Sequence, residues 1–546
     1  MRASRCKPLA SRQAPAGTTY ETRGAGRAAL GHPASLAFAV ALAAGCSHQS
    51  EVVNVAQPNV AGANAGQLDA SSRGGATSGA TGAGSLPAPS SIAPQTKPVR
   101  GGPELRHGLS WYEDAPDQAL SAARAAGKPV LVDLWAPWCH TCLSMQNFVL
   151  TAENLPSLEE RFVLLAVDTE RAENADFLRS LPVTVWPTFY VVSPDPQLVA
   201  GRWLGAASPA QFARFLDEAE RVVELRQQAG GARDPLRDAL LEADELATRG
   251  NHAEAARAYA TALSVAPRAW PRRPETLVAQ MTALWKARAI EPCLALAQSS
   301  LSETGNAAST VDFAAYALEC AALVPKEDAR GLGTARSVAQ RLGPLCHAGS
   351  PEFSPDDRAD ACDKLAGAYG ALADVAAARR ATLERLAILE RAALGKPDEV
   401  AVTYDWARTD SLLTLDRAEE AVELSRAREH ALPQNYNPPT YQARAYKQLG
   451  RWDDGLSAVE RALALAYGPR RIGLYTLKAD LLVGAGRVGE ALAVSRQQLA
   501  LYRALPEGQR QPAAEERVTK RIDELTKAGV ATGTAPSNRE SVPIRR

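Results

Sequence analysis

Hydrophobic positions change their spacing several times along the 546-residue chain. Between Ala34 and Ala44 they form a nearly unbroken run, and from Ser47 to Pro103 they almost vanish in favour of Ala, Gly, Ser, Thr, Pro and Gln. Over 106–228 short apolar runs alternate with helically spaced segments. Ala115–Ala126 has helical spacing and stops at Gly127, and Pro129–Trp135 reads as a strand. A helix to about Val149 follows, then strands at Phe162–Val167, Thr188–Val192 and Leu198–Leu204, with helices at Ala172–Arg179 and from Pro209 to about Val223. Strands alternating with helices and closing on a hairpin and a helix predict an α/β sandwich.

Over 229–527 almost every segment is helical and about a dozen residues long. Gly250, Ala255, Tyr259, Ala262 and Pro267 stand at the spacing of a tetratricopeptide repeat, in which small residues let paired helices approach and proline ends the second helix. Asp416, Gly450 and Gly486 sit at turn positions 34 and 36 residues apart, each followed five places later by Ala421, Gly455 or Ala491. Tyr446 and Trp452 supply aromatic packing in the middle unit. Between about Ala269 and Leu394 the period is irregular. The expected fold class is therefore an α/β domain followed by an all-α, tetratricopeptide-like solenoid, with a generic alanine-rich bundle as the alternative. Residues 528–546 are polar and read as a disordered tail.

Composition adds two limits. With 61 basic and 61 acidic residues the formal charge is +0, and no basic block is interleaved with aromatics, so nothing points to nucleic acid. At the start, Arg2, Arg5, Lys7, Arg12, Arg23 and Arg27 precede the apolar run, which is too short to span a bilayer and reads as the core of a signal peptide over 1–45. Leu42-Ala43-Ala44-Gly45-Cys46 resembles a bacterial lipobox, although Ala43 stands where leucine is commonest. That resemblance implies lipidation of Cys46 and, with Ser47 after it, an outer-membrane lipoprotein facing the periplasm; the alternative is an ordinary cleaved signal. Residues 46–105 would then be a flexible tether, and the anchor the only contact with the membrane.

The chemistry is carried by Cys139-His140-Thr141-Cys142. A helix starting at the first cysteine turns unpaired N–H groups and the positive end of its dipole toward that sulfur, so Cys139 is expected to have a depressed thiol pKa and to act as nucleophile. Cys142, one turn on, is placed to resolve a mixed disulfide. Half of a zinc site is the competing reading, but four ligands are needed and no second Cys-x-x-Cys or His pair lies nearby. No metal and no cofactor beyond the Cys139–Cys142 disulfide is expected. Asp133, flanked by Val132 and Leu134 in a strand, should be desolvated and suited to take the Cys142 proton; a purely structural hydrogen bond is the alternative. His140, as donor or cation, would stabilise the Cys139 thiolate and make the disulfide more oxidising, unless it is a solvated loop residue. Thr141 carries less information.

The string Val132-Asp-Leu-Trp-Ala-Pro-Trp-Cys-His-Thr-Cys142, with Val185-Trp-Pro-Thr188 downstream, resembles the thioredoxin superfamily. Gly127-Lys-Pro-Val-Leu-Val looks most like the soluble domain of periplasmic thiol:disulfide interchange reductases. The resemblance spans roughly residues 107–225. It implies that Asp133 is the buried acid, that Pro187 is cis and faces the cysteines, and that the Trp186-Pro187-Thr188 loop offers backbone groups to a substrate strand. Trp138 would shield the site and Trp186 shape a groove, or both are simple packing. Three positions depart from the pattern: Leu143 replaces a common lysine, apolar residues around Leu164 replace another, and Gln146 stands where the interchange reductases tend to carry an acid.

Four further cysteines lie in the helical region. An exported chain favours disulfides, with Cys346–Cys362 and Cys293–Cys320 as the expected pairs, against free buried thiols. The expected function is an envelope thiol:disulfide oxidoreductase whose solenoid recruits protein partners on its concave face. Protein thiols or disulfides would be substrates, and a separate dithiol would donate or accept electrons. The direction of electron flow is left open. A scaffold with a redox-sensing head, and a delivery factor for haem or copper sites that reduces cysteines on an apo-protein, are the other readings.

Overall fold

The apolar run after Pro129 forms the middle of a six-stranded mixed sheet in the computed structural model, which describes residues 102–194, 197–227, 234–510 and 512–533. The strands are β1 Glu104–Arg106, β2 Leu109–Glu113, β3 Val130–Trp135, β4 Val163–Asp168, β5 Thr188–Pro194 and β6 Gln197–Leu204, ordered β1-β2-β4-β3-β5-β6. β3 runs parallel to β4 and antiparallel to β5. Both faces of β3 are covered, so alternation is lost and nearly every position is apolar. Val130, Val132 and Leu134 pack with Leu120, Leu165 and Tyr190 on one face; Leu131 packs with Met145, Phe189 and Phe212 on the other. Asp133 shares the Leu131 face by the period-two rule.

Five helices flank the sheet: α1 Pro116–Ala126, α2 His140–Phe148, α3 Leu158–Arg161, α4 Ala175–Ser180 and α5 Pro209–Gln227. The hairpin of β1 and β2 was not anticipated, and it places the start of the domain at Glu104, inside the expected tether. Its two-residue turn puts His107 at φ 51° and Gly108 at φ 80°, a left-handed pair that matches strand twist. A Cβ at Gly108 would also press on Ala152.

Helical hairpins follow in succession. The first pairs Pro235–Thr248 with His252–Val265, and the last pairs Arg470–Gly484 with Val488–Ala504, ahead of a final helix Pro512–Gly533. Each packs on the next, the nearest-neighbour stacking of a solenoid. Gly250, Asp416, Gly450 and Gly486 are the turn residues, with φ of 80°, 60°, 68° and 74°. Ala255, Tyr259 and Ala262 are buried in the first hairpin, where the Tyr259 hydroxyl donates to Asp244 at 2.6 Å. In the irregular stretch helix length varies from 11 residues at Ile290–Ser300 to 20 at Ala329–Ala348, which is why the period fails there. Disulfides Cys293–Cys320 and Cys346–Cys362 each join one hairpin to the next in this stretch.

The final helix continues past Lys527 to Gly533, a correction to the expected tail at 528; once nucleated, a helix extends at little cost per residue. The signal segment 1–45, Cys46 and residues 534–546 lie outside the described residues, as does the tether up to residue 101. No helix among the described residues is long and apolar enough to cross a membrane. The sheet domain and the repeats belong to one compact unit.

Candidate active site

Trp135 ends β3, and Ala136-Pro137-Trp138 leads to Cys139, the N-cap of α2. Its sulfur accepts a hydrogen bond from the Cys142 backbone N–H at 3.0 Å, as a side-chain cap does. The two cysteines are joined as a disulfide with Cα atoms 5.2 Å apart. Asp133 lies buried on β3, paired in register with Ala166 and Phe189. Burial pushes its carboxyl up to about 6, against a hydrogen bond from Gln146 Nε2 at 3.0 Å and the attraction of Arg106. Gln146, noted as a departure, is thus the donor that holds this acid.

Arg106 and Glu113 were missed from sequence. The cation near the buried acid comes from Arg106 on β1, not from β4, where Leu164 and Leu165 stand. Its guanidinium lies 5.3 Å over the Trp135 ring and pairs with Glu113, whose carboxyl burial raises to about 7. The readable signal was the alternation of Leu109 and Trp111 with polar neighbours next to the Gly108 turn.

The Trp186–Pro187 bond is cis and Pro187 is buried. The Pro187 carbonyl accepts from Gly205 N–H at 3.0 Å, and the Thr188 hydroxyl donates to the Val185 carbonyl at 2.7 Å. Trp186 Nε1 donates to Thr169 Oγ1 at 2.9 Å. The Trp138 and Trp186 rings lie 5.3 Å apart, and with Trp135 they pack around Ala136, Cys139 and Cys142. Thr141 is buried in the first turn of α2.

The repeats close over this end of the sheet. Cys139 is 5 % exposed and Cys142 1 %. His140, whose solvated-loop alternative is ruled out by its 12 % side-chain exposure, places Nδ1 3.2 Å from Asp356 Oδ2 and stacks on Trp406 at 5.1 Å. Asn437 Nδ2 donates to the Pro137 carbonyl at 2.9 Å, and Asn147 Nδ2 to Thr403 Oγ1 at 2.9 Å. Trp138 Nε1 donates to Glu170 Oε1 at 2.9 Å, while the other Glu170 oxygen accepts the Arg470 backbone N–H. Burial lifts the Glu170 carboxyl to about 7. Tyr467 donates to Asp168 at 2.5 Å, and Gln509 Nε2 to the Thr169 and Arg171 carbonyls at 3.0 and 2.8 Å. On the far side Lys286 Nζ reaches the Thr184 carbonyl and Asp312 accepts from Ala206 N–H. Repeat-region residues from Lys286 to Gln509 thus contact the chain's own head.

Among the described residues His140, Asp356 and Asp360 bring one ligand atom each within 4.8 Å of one another, a donor set able to hold a cation. Cys346, His347 and Glu384 do likewise, but the Cys346 sulfur is in a disulfide.

Comparison with known proteins agrees with this geometry over the head. Residues 116–220 match the family model of a thioredoxin-like domain. The thiol:disulfide interchange protein DsbD of Yersinia enterocolitica is 30 % identical over 122 residues, 22 % of this chain and 21 % of that protein. The Cronobacter sakazakii protein of the same name is 32 % identical over 106 residues, 19 % of this chain and 18 % of its own. The chain thus spans about a fifth of the length of these curated relatives. Among solved structures, a tetratricopeptide repeat protein from Parabacteroides merdae is 13 % identical with a TM-score of 0.36, covering 54 % of this chain and 99 % of that one. MamA AMB-1 is 24 % identical with a TM-score of 0.21, covering 32 % and 96 %. Fold, dithiol and family match together identify residues 116–220 as a thioredoxin-like domain, joined in this chain to a helical-repeat solenoid.

Proposed function

We propose that the chain is a thiol:disulfide oxidoreductase of the bacterial cell envelope, with Cys139 as nucleophile and Cys142 as resolving thiol. The carrying observation is the Cys139–Cys142 pair at the N-terminus of α2 with buried Asp133 on the strand before it. In the reducing direction the Cys139 thiolate attacks one sulfur of a protein disulfide. A bond forms to that sulfur and the other leaves as thiolate. Asp133 takes the Cys142 proton, and Cys142 attacks Cys139 Sγ and expels the second substrate thiolate. The substrate gains two electrons, the chain is left as the disulfide, and a separate dithiol restores it. Run backward, the same steps oxidise a substrate. Pro187 and its neighbours Trp186 and Thr188 form the substrate-side loop.

The interchange proteins' name supports this activity, and the signal-like start with Cys46 supports an envelope site reached through a lipid anchor. Replacing Cys142 with Ser in cells should trap mixed disulfides on Cys139 that dithiothreitol releases. An abundant, folded variant that traps nothing would overturn the reading.

Burial of both sulfurs favours a second reading, in which the head is a regulatory disulfide on a repeat scaffold. It predicts slow turnover of a model disulfide, and a partner complex that survives replacement of both cysteines.

A further inference from the structure

We propose that Asp356 and Asp360, on the repeat helix Pro355–Ala371, are positioning residues for the dithiol: they keep the His140 imidazole protonated beside Cys139, making the disulfide a stronger oxidant than the head alone would make it. The inference rests on the redox reading of Cys139 and Cys142.

The head by itself gives His140 no reason to be charged. The residue opens α2, where the helix dipole opposes a cation, and the repeats that cover it remove most of its water. Asp356 supplies what is missing. Its two oxygens lie 3.2 and 3.4 Å from Nδ1, and Asp360 is one helical turn further on. Stacking on Trp406 with planes 3° apart fixes the ring so that Nδ1 stays on the carboxylate.

Asp356 is itself fixed. Ser354 and Asp357 form a capping box at the start of its helix, and Cys346–Cys362 ties that helix to the one before.

Of the other charged and titratable groups here, Arg385 on Val375–Ala393 and Asp312 on Ala308–Ala321 act on the imidazole itself, Lys364 on the same helix acts on Asp360, and Tyr404 before Asp405–Thr414 acts on Asp356. The two cations also pair with other carboxylates: Arg385 with Asp363 at 2.9 Å and Asp410 at 3.0 Å, and Lys364 with Asp363 at 2.7 Å. Burial works to lower the His140 pKa, and the Asp356 and Asp360 carboxylates overcome it, holding the group at about 9. A cation next to Cys139 favours the thiolate, and stabilising the reduced form raises the potential.

The test measures the equilibrium of full-length protein with glutathione redox buffers. Asp356→Asn and Asp360→Asn should each shift it toward the disulfide, together by about tenfold, or about 30 mV. The Cys139 thiol pKa should rise in the same variants. Glu490→Gln, which removes an exposed repeat carboxylate paired with Arg487, should leave the equilibrium unchanged. Carboxylates acting on the sulfur directly would give the opposite sign, so an unchanged or raised potential overturns the proposal. A potential that moves with added zinc or EDTA also overturns it, by making the cluster a metal site.

Should the variants not fold, nitrogen chemical shifts of His140 in the unaltered chain decide: protonation persisting above pH 8 is expected, and a neutral ring at pH 7.5 overturns it. A wild-type chain that never equilibrates with glutathione overturns the redox reading and this inference with it.

Discussion

The His140 imidazole and the Asp356 carboxylate meet at 3.2 Å across 216 positions of sequence. One opens the helix that carries the dithiol and the other opens a helix of the repeats. The same pattern recurs around the site, in Pro137 with Asn437 and Glu170 with Arg470. The end of the sheet that holds the cysteines is therefore built by two parts of the chain.

Gly468 sits against the Glu170 backbone at φ 55°, and a Cβ there would collide with the Glu170 carbonyl. Gly468→Ala should weaken docking by about 1–3 kcal/mol. Each 1.4 kcal/mol is about tenfold, so the reduced chain should alkylate at Cys139 about 5- to 150-fold faster. Time-resolved mass spectrometry after reduction checks this; an unchanged rate would mean that the repeats do not limit access to the sulfur.

Asp133→Asn removes the proton acceptor while keeping the Gln146 contact in reach. Decay of a trapped mixed disulfide should slow by about 10²- to 10⁴-fold, the usual range for a lost acid–base group. In the unaltered chain the same step should fade as pH drops through about 6, where the Asp133 carboxyl takes up its proton. Stopped-flow decay of the mixed disulfide against pH reads both.

Stability should fall as pH rises. Burial raises the carboxyls of Glu170 and Asp312 to about 7 and of Asp357 to about 8, and His140 stands at about 9. All four bind protons more tightly folded than unfolded, so stability declines with pH between the unfolded and folded values. The contribution is complete below about pH 4 for the acids and 6.5 for His140, and is gone once pH passes 7 to 9. Tm measured from pH 5 to 9.5 should decrease, and a flat or rising profile would contradict the buried assignments.

The two repeat disulfides close 27- and 16-residue separations. Loop entropy puts the loss of either at about 3 kcal/mol. Chemical denaturation of Cys346→Ala/Cys362→Ala and Cys293→Ala/Cys320→Ala should show this as an earlier midpoint, and no change would speak against native pairing.

The sequence made the head legible because its signals are local. Pro129–Trp135 announces a strand buried on both faces, and Cys139-His-Thr-Cys142 follows it at once. Asp416, Gly450 and Gly486 mark turns for the same reason. The β1–β2 hairpin escaped because β1 is three residues long and adjoins a stretch of tether composition. The roles of Asp356, Trp406, Asn437 and Arg470 were not legible at all. They depend on how the repeats return to the sheet, and nothing near each residue in sequence records a partner some 220 to 300 positions away.

Only six positions separate Gln227 from Asp234, so the head is presented to the repeats by a very short connection. Such tethering gives an effective concentration on the order of millimolar. An outside protein seeking the same face of the repeats, or the same sulfurs, competes with a ligand that never diffuses away. At micromolar abundance it can win only by binding about a thousandfold more tightly than the head does, or by meeting the chain when the head has already let go. Partner choice is thereby filtered before any sulfur reacts.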